Sequence, residues 1–86
     1  MHDALHGLMD GVPFIISMAD VGHALAAVPG VLEVHDLHVW AISGERVALS
    51  AHVRVADMNA WPTVLDGLRD AAKVYGIEHV TFQPEV

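Results

Sequence analysis

The stretch Val31-Leu32-Glu33-Val34-His35-Asp36-Leu37-His38-Val39-Trp40-Ala41-Ile42, then Ser43-Gly44-Glu45, then Arg46-Val47-Ala48-Leu49-Ser50-Ala51-His52-Val53-Arg54-Val55, decides the fold. Its first part is rich in Val, Leu, Ile and Trp, and its last part places Val47, Leu49, Ala51, Val53 and Val55 on alternate positions. Both patterns predict strands, because successive side chains of a strand point to opposite faces. The short glycine-bearing segment between them predicts a tight antiparallel hairpin. The other side of the second strand carries Ala48, Ser50, His52 and Arg54, so one face of the sheet should be polar or only partly covered.

Upstream, Ser17-Met18-Ala19-Asp20 has the form of a helix start, a hydroxyl followed three residues later by a carboxylate. Met18, Val21, Leu25 and Val28 then recur at helical spacing until Pro29-Gly30, which predicts a helix over Met18–Val28. Downstream, Pro62 suits a first helical turn, and Trp61, Leu65, Leu68 and Ala72 share one face up to Gly76. A last strand over Glu78–Gln83 puts Val80 and Phe82 on one side and His79, Thr81 and Gln83 on the other, with Pro84 as its stop. Residues 1–13 are read as a short helix or linker broken at Gly11-Val12-Pro13. The expected architecture is α+β: an open-faced αββαβ sandwich with two helices on one face of a three-stranded sheet.

Composition narrows the function classes. A chain of 86 residues forms one domain at most and buries only about 60% of its unfolded surface, so it is marginal alone. Its 53% hydrophobic content and mean hydropathy of +0.42 leave an apolar surplus that suits an oligomer interface. Val12–Ile16 and Ala24–Val28 are the longest apolar stretches, far from the roughly 20 residues of a spanning helix. Neither is there a secretory signal pattern after Met1. Eleven acidic residues against four basic ones give a formal charge of −7 without any Lys/Arg cluster, which argues against nucleic acid and anionic lipid. The absence of cysteine excludes disulfides, zinc ribbons and the Cys-x-x-Cys loop of copper chaperones. No nucleophile elbow, phosphate-binding glycine loop or His-Glu-x-x-His helix is present, so no enzyme is expected.

The seven histidines stand out. Neutral imidazole is a common ligand of divalent transition metals. Strict alternation, with Leu37 and Val39 facing the core, puts Asp36, His38 and Trp40 on the polar face with His52 and turns His35 away. On spacing alone His52 pairs with Asp36 or His38, unless a bulge at the strand end redirects His35. His2 and His6 lie one helical turn apart near the terminus, and His23 lies opposite the core face of the first helix.

Pro29-Gly30-Val31 leading into His35-Asp36-Leu37-His38-Val39-Trp40, then Leu49-Ser50-Ala51-His52-Val53, then His79-Val80-Thr81-Phe82-Gln83-Pro84-Glu85, resembles the cytoplasmic domain of zinc-type cation diffusion facilitators. Leu8-Met9-Asp10-Gly11-Val12-Pro13 resembles that family's junction after its last transmembrane helix. The resemblance implies a ferredoxin- or metallochaperone-like domain over residues 14–86 on the cytoplasmic side of a membrane transporter, preceded by a juxtamembrane segment at 1–13. It further implies a homodimer whose V-shaped arms close when a divalent ion binds, Zn²⁺ foremost and Cd²⁺, Co²⁺ or Ni²⁺ as alternatives. Carried over, the metal ligands are His35, His52 and Glu85, with Gln83, His79 and His38 as further candidates. The competing expectation is a module of the same fold that dimerises without metal.

Overall fold

In the computed structural model, which describes residues 7–10 as backbone together with residues 16–44 and 46–86, the hairpin forms as the alternation requires. The elements are β1 (Gly7–Asp10), α1 (Met18–Ala26), β2 (Val31–Ser43), β3 (Arg46–Val55), a 3₁₀ turn (Met58–Ala60), α2 (Trp61–Lys73) and β4 (His79–Glu85). They build one sheet in the order β1-β2-β3-β4, in which β2 and β3 are antiparallel and the outer pairs are parallel. The hairpin closes where Ser43 pairs with Arg46, and Gly44 takes the positive φ of 53° that the turn demands.

Both helices cover one face of the sheet. Val34, Leu37 and Val39 of β2 and Val47, Leu49, Ala51, Val53 and Val55 of β3 meet Val21, Leu25 and Val28 from the first helical segment and Val64, Leu68 and Ala72 from α2. Each fully buried Val or Leu contributes about 1.5–3 kcal/mol, so this layer is what holds the sheet and helices in register. Val80 and Phe82 of β4 pack on the same core half-buried. Ser17 caps α1 by accepting a hydrogen bond from the Asp20 N–H at 3.2 Å. Gly30, at φ 94°, reverses the chain into β2. A Cβ there would stand 2.7 Å from Val64 Cγ2.

Four details differ from the sequence expectation. Helix α1 ends at Ala26, with Val28 buried just beyond it. The inward row of α2 is Val64, Leu68 and Ala72, while Leu65 is only half-buried. Pro84 does not stop the last strand: it pairs with Val53 within β4, an edge strand whose outer side needs no N–H donor. The short helix or linker expected over residues 1–13 is a strand across Gly7–Asp10, which extends the three core strands by one. The unpaired edge of β2 offers these residues ready backbone partners. The break at Gly11-Val12-Pro13, His2 and His6 lie outside the described residues.

Candidate metal centre

The uncovered face of the sheet carries the chemistry. Residue 35 should point inward if β2 alternated strictly from Leu37, but β2 contains a bulge. His35 pairs with His52 and His38 with Ser50, so β2 uses three residues where β3 uses two. Asp36 is the extra residue and adopts φ 53°, the left-handed region that Asp tolerates better than most side chains. In consequence Val34 and Leu37 are both buried, and His35, Asp36 and His38 all lie on the open side. The bulge removes the conflict between spacing and resemblance, since it puts His35 and Asp36 on the same face as His52.

The parallel pairing of β3 with β4 sets Gln83 opposite His52 and Glu85 opposite Arg54. Glu85 thereby reaches both imidazoles at once. His35 Nε2–H donates to Glu85 Oε1 at 2.6 Å, and His52 Nδ1–H donates to Glu85 Oε2 at 2.7 Å. Asp36 Oδ2 lies 3.3 Å from His35 Nδ1 and 4.0 Å from His52 Nδ1. The two rings stand 5.3 Å apart between centroids. Side-chain exposures of 31% for His35, 42% for His52 and 35% for Glu85 leave the group open to an incoming ion while its backbone is fixed by the sheet.

Charge follows from the contacts. The hydrogen bond to Glu85 raises the His35 pKa above its ordinary 6.5; desolvation opposes this, and the charges of Glu85 and Asp36 add to it. The hydrogen bonds from His52 and then His35 hold the Glu85 carboxyl below its ordinary value.

His35, Asp36 and His52 offer ligand atoms within 4.8 Å of one another, with Glu85 bonded to both imidazoles. The donor set suits a divalent ion. An ion taking the place of the Nε2 proton would leave His35 with its other proton on Nδ1 facing Asp36, the carboxylate–histidine arrangement that orients many metal-bound imidazoles. Spacing alone offered Asp36, or His38, as the partner of His52, while the ligand set implied by the resemblance left Asp36 out. Its signal was the disagreement over strand parity.

The remaining candidates take no part in these contacts. His38 is exposed on the open face opposite Ser50. His79 pairs with Ala48, four residues along β3 from His52 and so roughly 13 Å away at strand spacing. Its Nε2 accepts a hydrogen bond from Arg46 Nη2 at 2.7 Å. Gln83 neighbours the centre in register, yet its amide donates to the Pro84 carbonyl at 3.4 Å. His23 is exposed on α1.

The profile of the family described as "Cation efflux protein, cytoplasmic domain" matches residues 16–85. The chain is 37% identical over 89 residues to the metal cation efflux system protein CzcD of Cupriavidus metallidurans, covering all of this chain and 28% of that protein. It is 35% identical over 86 residues to a cadmium, cobalt and zinc/H(+)-K(+) antiporter of Bacillus velezensis, covering 96% of this chain and 28% of the antiporter. Against the human proton-coupled zinc antiporter SLC30A1 it is 36% identical over 78 residues, 91% of this chain and 15% of that one. The chain thus spans less than a third of the length of each of these transporters. A solved structure, the metal-bound C-terminal domain of the CzcD transporter of Cupriavidus metallidurans, superposes with a TM-score of 0.75 at 36% identity, covering 83% of this chain and all of that one. No described helix is long and apolar enough to cross a membrane. A domain-length match to the profile, transporter relatives at a third identity and a shared fold agree: the chain belongs to the cation diffusion facilitators, as a cytoplasmic domain of the cation efflux protein family.

Proposed function

We propose that this domain is the regulatory metal-binding and dimerisation module of a divalent-cation efflux transporter, with Zn²⁺ as the ion sensed and His35, His52 and Glu85 as its ligands. The observation that carries the reading is the convergence of His35 and His52 on the two oxygens of one carboxylate, Glu85, with Asp36 against the same pair. Two imidazoles and a carboxylate match the preference of zinc for nitrogen and oxygen donors, and water or Gln83 can complete four ligands. Cd²⁺, Co²⁺ and Ni²⁺ can occupy the same donors, since such sites discriminate through geometry and availability. The transport site itself lies in the transmembrane part of the whole protein, on whose cytoplasmic side this domain works.

With the imidazoles neutral, binding breaks their hydrogen bonds to Glu85 and adds an ion of charge +2 to the centre. In a chain of formal charge −7 this lowers the repulsion between two copies and favours a closed V-shaped homodimer. The ion shifts the equilibrium only by its higher affinity for the closed arrangement. The exposed Trp40 and Ile42 near the open face supply apolar area for such a contact.

Calorimetric titration of the domain with Zn²⁺, beside His35→Ala and His52→Ala, tests the site. Weakened binding in both variants supports it, and unchanged affinity in both refutes it. One observation favours the competing reading of a metal-independent dimerisation module: Glu85 already satisfies both imidazoles, so the fold needs no ion to complete it. Small-angle scattering separates the two readings, because a dimer with one shape with and without Zn²⁺ fits only the second.

A further inference from the structure

Beside the metal centre lies an arginine with a choice of partners. On the open face, Arg54 of β3 stands in register between two carboxylates, Glu33 on β2 and Glu85 on β4. Its guanidinium takes Glu33, with Arg54 Nη2 at 3.3 Å from Glu33 Oε1, while Glu85 gives both oxygens to the imidazoles. Both members of the ion pair are partly exposed, at 51% and 38% of their side chains, so the pair is held by charge and position rather than by packing.

We propose that Arg54 is a built-in competitor for Glu85, and that Glu33 is a positioning residue that holds it off and so sets the metal affinity of the centre. The inference rests on the reading that Glu85 ligates the ion. Arginine stays protonated throughout the physiological range, and its fork matches a carboxylate oxygen for oxygen. A guanidinium seated on Glu85 would occupy the two oxygens an incoming divalent ion requires and add a positive charge beside it. The pairing geometry makes the exchange local. Neighbouring strands lie about 4.8 Å apart, so the same side chain can lean to either side of β3 without any movement of the backbone.

The test is a set of Zn²⁺ titrations on the wild-type domain, Glu33→Gln, Arg54→Gln and the double variant. Exposed ion pairs of this kind change free energies by up to about 1 kcal/mol, equivalent to about fivefold in a binding constant. Glu33→Gln therefore weakens binding by roughly two- to fivefold, Arg54→Gln binds at least as tightly as the wild type, in which Glu33 already holds the guanidinium off, and the double variant binds like Arg54→Gln, because the loss of Glu33 matters only while Arg54 is present. Independently of metal, ¹⁵N spectra of the imidazoles detect the exchange: in Glu33→Gln the His52 signal moves as Arg54 takes over Glu85, and in the double variant it returns. Thermal midpoints check that each variant is folded, as partly exposed positions allow. Glu33→Gln binding like wild type, or a double variant as weak as Glu33→Gln, overturns the proposal while the centre itself stands. A wild-type domain that does not bind Zn²⁺ removes the centre, and the proposal with it.

Discussion

Deletion of Asp36 is the sharpest probe of how this centre is built. In a regular strand, loss of one residue reverses the parity of everything on one side of the gap. Here Asp36 is the surplus residue of a bulge, and its removal leaves Val34, His35, Leu37 and His38 alternating in, out, in, out opposite Val53, His52, Ala51 and Ser50. The deletion also removes a non-glycine residue at φ 53°, a conformation that costs about 1–2 kcal/mol for most side chains and less for Asp. The expected change in unfolding free energy is therefore within about 1 kcal/mol of zero. If Asp36 were instead an in-register residue, deletion would turn Leu37 and Val39, both now fully buried, out to solvent. At about 1.5–3 kcal/mol each, that is a loss of 3–6 kcal/mol or more, a large part of the total stability of a small domain. Urea unfolding followed by circular dichroism distinguishes the two cases. The His35, His52 and Glu85 contacts should persist in imidazole spectra, and Zn²⁺ should still bind, with its affinity reduced by loss of the Asp36 carboxylate. A destabilisation above about 3 kcal/mol refutes the bulge argument.

The pH dependence of the metal-free domain follows from the same contacts. His35, with its pKa raised by Glu85, contributes stability that is complete below its ordinary 6.5 and is lost as pH rises through the raised value. Glu85, with its pKa lowered by the two imidazoles, contributes stability present above its ordinary 4.5 and lost as pH falls through the lowered value. Thermal midpoints should therefore peak between about 4.5 and 6.5 as far as these groups are concerned, and Glu85→Gln should flatten that peak. Zinc affinity should run the other way on the alkaline side, increasing as His35 loses its proton, which titrations at successive pH values will show. Gly30→Ala combines a φ of 94° with a Cβ 2.7 Å from Val64 Cγ2, so a loss of about 2–4 kcal/mol is expected in chemical unfolding. Ser17→Ala removes the cap on the Asp20 N–H and should cost about 1 kcal/mol, with a fall of about 4–8 °C in thermal midpoint.

Most of the fold was legible because its signals are local. The alternation of Val47 to Val55 gave β3 its bounds and its buried face, and Ser17 marked the start of α1, which ends at Ala26, before Pro29-Gly30. What escaped was the part that depends on partners distant in sequence. Nothing local in Gly7–Asp10 marks a strand, since its pairing is supplied by the free edge of β2. Pro84 read as a terminator because its place at the outer edge of the sheet cannot be seen from its neighbours. The proposed metal centre lay between these extremes: resemblance indicated His35, His52 and Glu85, periodicity indicated Asp36 or His38, and a single bulged residue puts His35 and Asp36 on one face with His52. Val34 and Leu37, two apolar residues three apart in a strand, were the trace of that bulge, and an apolar spacing of three can also be read as the end of the strand.

The contacts of Glu85 span 50 residues to His35 and 33 to His52, and they exist only after the α2 crossover has delivered β4 to its place beside β3. An ion in this centre thus recognises a topology already complete and has little to hold in a chain still searching for it. Its influence should fall on the escape from the native state, slowing unfolding in proportion to occupancy while leaving the folding rate almost unchanged. A domain made in zinc-poor surroundings would reach the same fold at the same pace, and it would gain persistence only when the metal arrived.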